Sequence, residues 1–126
     1  MGFQIWCGVW QIDGGQASIQ VGDIELHGNK FVTAVNGRTQ KAVGPGVTTL
    51  QLSGEGISTI RARKLDFVDA AELDVSKLKV SAGEYKVFDG ESIERENLQF
   101  ASGTDPKRWT LRFDRDAGDV LLEFQP

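Results

Sequence analysis

LDVSKLKVSAGEYKVFDGESI, residues 73–93, and WTLRFDRDAGDVLLEF, residues 109–124, decide the fold class. Apolar and polar residues alternate through Leu73 and Val75 and again through Leu78 and Val80. Between the two runs, Ser76 and Lys77 shift the phase by one residue. The alternation returns at Tyr85 and Val87 and at Leu111 and Phe113, and turn residues break it at Ala82-Gly83, Asp89-Gly90 and Ala117-Gly118-Asp119. A period of two bounded by Gly and Asp marks β-strands with one buried face. The core of this segment is expected from Tyr85, Val87, Phe88, Leu111, Phe113, Leu121 and Phe124.

Upstream, the same grammar continues in shorter pieces. Phe3 to Ile12 (FQIWCGVWQI) is apolar at both parities and carries no charge. It reads as one strand that is either central or covered on one face by a partner. Asp13-Gly14-Gly15 is a turn, and Ala17, Ile19, Val21, Ile24 and Leu26 then alternate around Gly22-Asp23. Phe31–Val35 leads into Asn36-Gly37, a strong hairpin signal, while the polar stretch from Arg38 to Gly46 reads as a loop. Val47–Leu52, Ile57–Ala62 and Leu65–Val68 are further short strands. A helical period with caps appears nowhere, so the chain is expected to be all-β.

One internal echo bears on architecture. Ser18–Leu26 lies over Thr59–Phe67 at an offset of 41 positions, about two turns of a solenoid with coils of ~20 residues. Such coils bury their aliphatic residues only against neighbouring coils, so a short array needs caps. The order L-D-V-S-x-L-x-V-x-x-G-x-Y-x-V-F-D-G-x-S-I, N-L-x-F-A-S-G-T-D, W-x-L-x-F-D and A-G-D-V-L-L-x-F-x-P resembles the terminal segment of secreted, repeat-rich bacterial proteins of the autotransporter-like and PEP-sorted surface type. The resemblance covers roughly residues 57 to 126. It implies a bacterial secreted or cell-surface location and a structural or adhesive role, with no catalytic residues to carry over. The expected architecture is therefore a single all-β domain over 1–126. Short β-solenoid-like coils occupy about 1–70, and a C-terminal antiparallel segment of about 71–126 caps them. A β-sandwich is the alternative.

Composition narrows the function classes. A chain of 126 residues with 40% hydrophobic and 25% charged residues is one ordinary globular domain, able to hide about two-thirds of its unfolded surface. Its 15 glycines exceed the usual share of about 7% and are spread along the chain, as many tight turns require. A formal charge of −4 argues against nucleic-acid binding, which needs a concentrated positive field. The longest apolar run is far below the ~20 residues of a membrane span, so neither membrane insertion nor a signal peptide is expected. On the resemblance, Met1-Gly2 would be the start of an excised module. The lone Cys7 cannot form an intrachain disulfide and is expected to be a small buried residue.

Few side chains point to chemistry. Trp6 and Trp10, four residues apart on one strand, would stand about 13 Å apart at ~3.3 Å per residue. Exposed together they could stack sugar rings and make the chain a carbohydrate-binding module; buried, they would add several kcal/mol of apolar contact. Trp109 is expected to lid the core. Asp114–Asp119 with Glu123 departs from a calcium loop, because Ala117 takes the third ligand position and Gly118 is displaced by one; a hairpin turn explains it better. The single His27 cannot build a zinc site alone, and no G-x-S-x-G elbow is present to hold a serine nucleophile. No catalytic residue, metal or cofactor is expected. The uncharged stretch carrying Phe3, Ile5, Val9 and Ile12 is the expected association edge, toward another copy or toward neighbouring domains of a larger protein.

Overall fold

The structure is a computed structural model that describes residues 3–6, 9–14, 18–20, 22–26, 31–35, 38–41 and 49–126. In several N-terminal strands it describes the backbone alone. The described residues form thirteen strands: β1 Phe3–Trp6, β2 Val9–Asp13, β3 Ser18–Gln20, β4 Asp23–Leu26, β5 Phe31–Val35, β6 Arg38–Lys41, β7 Thr49–Glu55, β8 Thr59–Arg61, β9 Lys64–Lys79, β10 Gly83–Asp89, β11 Ser92–Phe100, β12 Trp109–Asp114 and β13 Asp119–Phe124. There is no helix among them, and the fold is all-β. Two sheets result. The larger runs β1-β2-β7-β9-β4-β5-β6, with β11 on the other edge of β9; the smaller runs β12-β13-β10-β8-β3. The larger sheet curls into a half-barrel.

Much of the pairing is parallel and in register. Ser18, Ile19 and Gln20 pair with Thr59, Ile60 and Arg61, and Ile24, Glu25 and Leu26 pair with Leu65, Asp66 and Phe67. These are the residues matched by the 41-position echo, so the repeat in sequence is a neighbour relation in space. A third tier lies on the second: Phe88 and Asp89 pair with Ile60 and Arg61, and Ser92 and Ile93 pair with Lys64 and Leu65. The other flank is layered too, with β2 parallel to β7 and β7 parallel to the second half of β9.

Tight corners hold the tiers at contact distance. Gly14 donates its amide to Ser53 O at 2.7 Å, and Gly56 donates to Lys79 O at 3.1 Å. A Cβ on Gly14 would overlap the carbonyl oxygen of Gly56, so only glycine lets these corners stack. At the opposite corner Ala62 donates to Asp89 O, and Glu91 and Ser92 both donate to Arg63 O.

The core fills the space between the sheets. Ile24, Leu26, Leu50, Leu65, Phe67 and Leu73 face it from the larger sheet; Ile60, Phe88, Val120 and Leu122 face it from the smaller one, all fully buried. Phe67 joins the layers, with its ring edge-to-face on Phe88 at 5.5 Å and on Phe113 at 6.3 Å. Such pairs add roughly 0.5–1.5 kcal/mol each beyond area burial. Val87 and Phe88 are buried as expected, whereas Tyr85, Leu111, Phe113 and Phe124 are half-buried. Leu121 is buried but lies outside the core cluster. Its cross-strand partners are Lys86 and Arg112, whose exposed stems flank it on the outer face. Trp109 is half-buried, stacked at 4.4 Å on Phe124, its partner across the β12–β13 ladder.

The phase slip at Ser76-Lys77 is a β-bulge. Gln51 pairs with Asp74 but Ser53 pairs with Lys77, so β9 carries one extra residue there. Asp74 steadies it by accepting the Ser76 amide at 2.9 Å and the Gln51 side-chain amide at 3.3 Å. A bulge restores the buried parity that an extra residue would otherwise invert.

Four expectations change. Phe3–Trp6 and Val9–Ile12 are two antiparallel strands, Phe3 opposite Ile12 and Trp6 opposite Val9, where a single strand was expected. Arg38–Lys41 is a strand paired with β5, not a loop; an outer strand tolerates polar side chains because one flank meets water. Leu65–Val68 and Leu73 onward form one strand of 16 residues, since no Gly or Pro between Lys64 and Lys79 ends it. The C-terminal segment is antiparallel only across β10, β13 and β12; β11 is parallel to β9 and β10 to β8.

Candidate functional site: the open edges of the sheets

The expected association residues separate in the structure. Phe3 and Ile5 belong to β1, the outer strand of the larger sheet. Val9 and Ile12 belong to β2, which is hydrogen-bonded on both flanks. Ile12 is 1% exposed and part of the core, and Val9 is half-buried. Neither can serve as an edge, because β1 and β7 already take the backbone groups of β2. Of these residues, among the described strands, only those of Phe3–Trp6 lie at an edge.

Trp6 and Trp10 lie on different strands of this antiparallel pair, with Trp10 opposite Ile5 and Trp6 opposite Val9. The spacing along one strand assumed for a sugar platform therefore does not apply. Their side chains lie outside the described residues, as do Cys7 and His27.

The remaining edges are guarded in ways the sequence explains. β6 carries Arg38 and Lys41, and β12 carries Arg112 and Asp114. β3 has only three residues. β11 is nine residues long, and its first half has several protections. The Arg95 guanidinium folds back onto Asp66 through two hydrogen bonds of 2.8 Å. Register shifts fall between Ile93 and Glu96 and between Glu96 and Leu98. Arg115, from the β12–β13 turn, donates to the carbonyls of Ile93 at 2.9 Å and Glu94 at 3.2 Å and pairs with Glu96. A charged, bulged edge whose acceptors are already bonded cannot template a new strand.

The turn that carries Arg115 is the hairpin expected at Asp114–Asp119. Gly118 donates to Asp114 O at 2.8 Å, and Asp114 Oδ1 accepts the Ala117 amide. Gly118 sits at φ +79°, a left-handed conformation that costs other residues about 1–2 kcal/mol. A Cβ there would lie 2.6 Å from the amide nitrogen of Ser92, so the turn is seated against the start of β11.

Paired charges cover the outer faces. Arg63 clamps Asp23 with bonds of 2.8 and 2.6 Å, and this hydrogen bonding holds the Asp23 carboxyl below its ordinary value while raising Arg63. On the smaller sheet Lys86 meets Asp119 at 3.2 Å and Asp89 at 3.9 Å. The bond to Asp119 raises the Lys86 pKa, so the amine stays charged and is no nucleophile at neutral pH. Burial pushes Asp74 upward, but the Ser76 and Gln51 hydrogen bonds and Lys77 outweigh it, leaving a net lowering. Asp119 is 7% exposed, and its Oδ1 lacks a partner among the described residues. No group of three or more His, Cys, Asp or Glu that could hold a metal occurs among the described residues. No described helix is long and apolar enough to cross a membrane.

No family model, curated protein or solved structure matches the chain.

Proposed function

We propose that the chain is a non-enzymatic structural module of a secreted or cell-surface bacterial protein, built as a short stack of β-solenoid-like coils. In this reading it joins another copy, or a neighbouring domain, through the edge of β1. The observation that carries the coil reading is in-register parallel pairing over three tiers at each flank: β3, β8 and β10 and β2, β7 and β9. Antiparallel pairings close the stack, with β1 on β2, β5–β6 on β4 and β13–β12 on β10. The compartment rests on the resemblance over residues 57–126. The associative role is supported by contrast between edges: FQIW is uncharged, while β6, β11 and β12 carry charge.

Sedimentation velocity over a concentration series tests the association. Wild-type protein associates with rising concentration, and Gln4→Lys, which puts a charge on the edge, moves the midpoint upward about tenfold or more. A wild-type chain that stays monomeric up to about 1 mM refutes the associative role.

A further inference from the structure

Resting on that reading, we infer that the partner surface for β1 is the uncharged end of β11, Leu98–Phe100, on a second copy of the chain. The contact is then head-to-tail and extends the larger sheet from one molecule into the next. The two segments are opposite edges of one continuous run of strands. Ile5 pairs with Trp10, Trp10 with Leu50, Leu50 with Leu73 and Leu73 with Phe100, so one row of residues crosses five strands from β1 to β11. Joining β1 of one copy to β11 of the next continues that row and the pleat that goes with it.

Edge chemistry selects this end of β11. The strand is guarded as far as Asn97 by Arg115, by Arg95 and by two register shifts. From Leu98 onward the guard stops. Leu98, Gln99 and Phe100 pair regularly with Ala71, Glu72 and Leu73, and Asn97–Phe100 carries no charge. Ala101 donates its amide to Leu73 O at 2.9 Å. Backbone polar groups alternate between the two flanks of a strand, so Leu98 and Phe100 present theirs to the open side. No described strand is hydrogen-bonded to that side. The regularly paired stretch Leu98–Phe100 on β11 offers three residues of open strand to the four of β1. Since β11 is shut upstream, the incoming strand has a single place to lie, and Arg115 acts as the stop that sets its limit.

A heterologous interface has a signature in mixing. Gln99 is exposed and opposite Glu72, so Gln99→Lys leaves the fold intact while placing a charge beside the acceptor edge. Sedimentation of full-length Gln4→Lys and Gln99→Lys, with circular dichroism confirming wild-type spectra, reads the outcome. Each variant alone associates at least about tenfold more weakly than wild type. Their equimolar mixture forms dimers and nothing larger, because one intact β1 meets one intact β11. If Gln99→Lys associates like wild type while Gln4→Lys does not, β1 pairs with β1: the inference falls and the proposed function stands. If Gln99→Lys alone weakens association, or if both do and the mixture stays monomeric, the head-to-tail contact is also overturned. A monomeric wild type overturns both.

Discussion

Replacing Phe67 with alanine removes the ring that holds the two sheets together. Phe67 is fully buried in β9 and meets Phe88 and Phe113 of the opposing sheet edge-to-face at 5.5 and 6.3 Å. Truncating a buried Phe to Ala costs about 3–5 kcal/mol, including the cavity left behind. Two aromatic partners put Phe67→Ala toward the upper end, about 4–5 kcal/mol, a large share of the roughly 5–15 kcal/mol that holds a domain folded. Phe67→Leu keeps most of the volume but loses both ring contacts, and should cost about 1–3 kcal/mol. Phe113 is only half-buried, so Phe113→Ala should cost about 1–3 kcal/mol, below the full-burial range. Urea unfolding followed by far-UV circular dichroism measures all three. In a double-mutant cycle, Phe67→Leu with Phe113→Leu should show coupling of about 0.5–1 kcal/mol. A loss below about 2 kcal/mol for Phe67→Ala, or Phe113→Ala costing more than Phe67→Ala, would refute Phe67 as the joint between the layers.

Two further outcomes follow from turn geometry and from charge. Gly118→Ala should cost more than about 2 kcal/mol, because left-handed strain of about 1–2 kcal/mol adds to the clash with Glu91 and Ser92; Gly103→Ala, at φ +91° with open space around it, should lose only the strain. Equal melting temperatures for the two variants would contradict the seating of the β12–β13 turn on β11. Asp23 has a folded pKa below its ordinary 3.8, so its clamp with Arg63 contributes stability that is present above that value and is lost as pH falls through the lower, folded one. Thermal melts from pH 5 downward should therefore decline less steeply for Asp23→Asn than for wild type, by a small margin because Arg63 is well exposed; identical slopes would exclude the clamp.

Several features are legible in the sequence itself. Ser76-Lys77 shifts the alternation by one residue in the sequence, and β9 carries its extra residue there. Asp114–Asp119 reads as a turn from its Ala-Gly-Asp spacing, and Gly118 meets that demand with a positive φ. The echo of Ser18–Leu26 in Thr59–Phe67 survives as pairing because corners that stack must repeat their apolar positions. The third tier at Val87–Ile93 was harder to see. Its first strand bulges between Lys86 and Phe88, which breaks the alternation that would have matched it to Thr59–Leu65. The pairing of Phe3–Trp6 with Val9–Ile12 is hidden because the run is apolar throughout and carries no strong turn signal. The guard on β11 could not be read at all, since Arg115 lies 22 residues from Ile93, whose carbonyl it bonds.

Alternation along a chain reports which face of a strand is buried, because water and core act on each residue where it stands. That local physics determined from sequence alone that the chain is all-β and where the turns at Ala82-Gly83, Asp89-Gly90 and Ala117-Gly118 fall. Alternation carries no record of which strand lies alongside, or in which direction, because backbone hydrogen bonds are nearly blind to side-chain identity. Packing of the whole chain decided the rest: that β7, β9 and β11 run parallel, that Ile12 is core while Phe3–Trp6 is edge, and that Arg115 bonds the first half of β11 and not Leu98–Phe100.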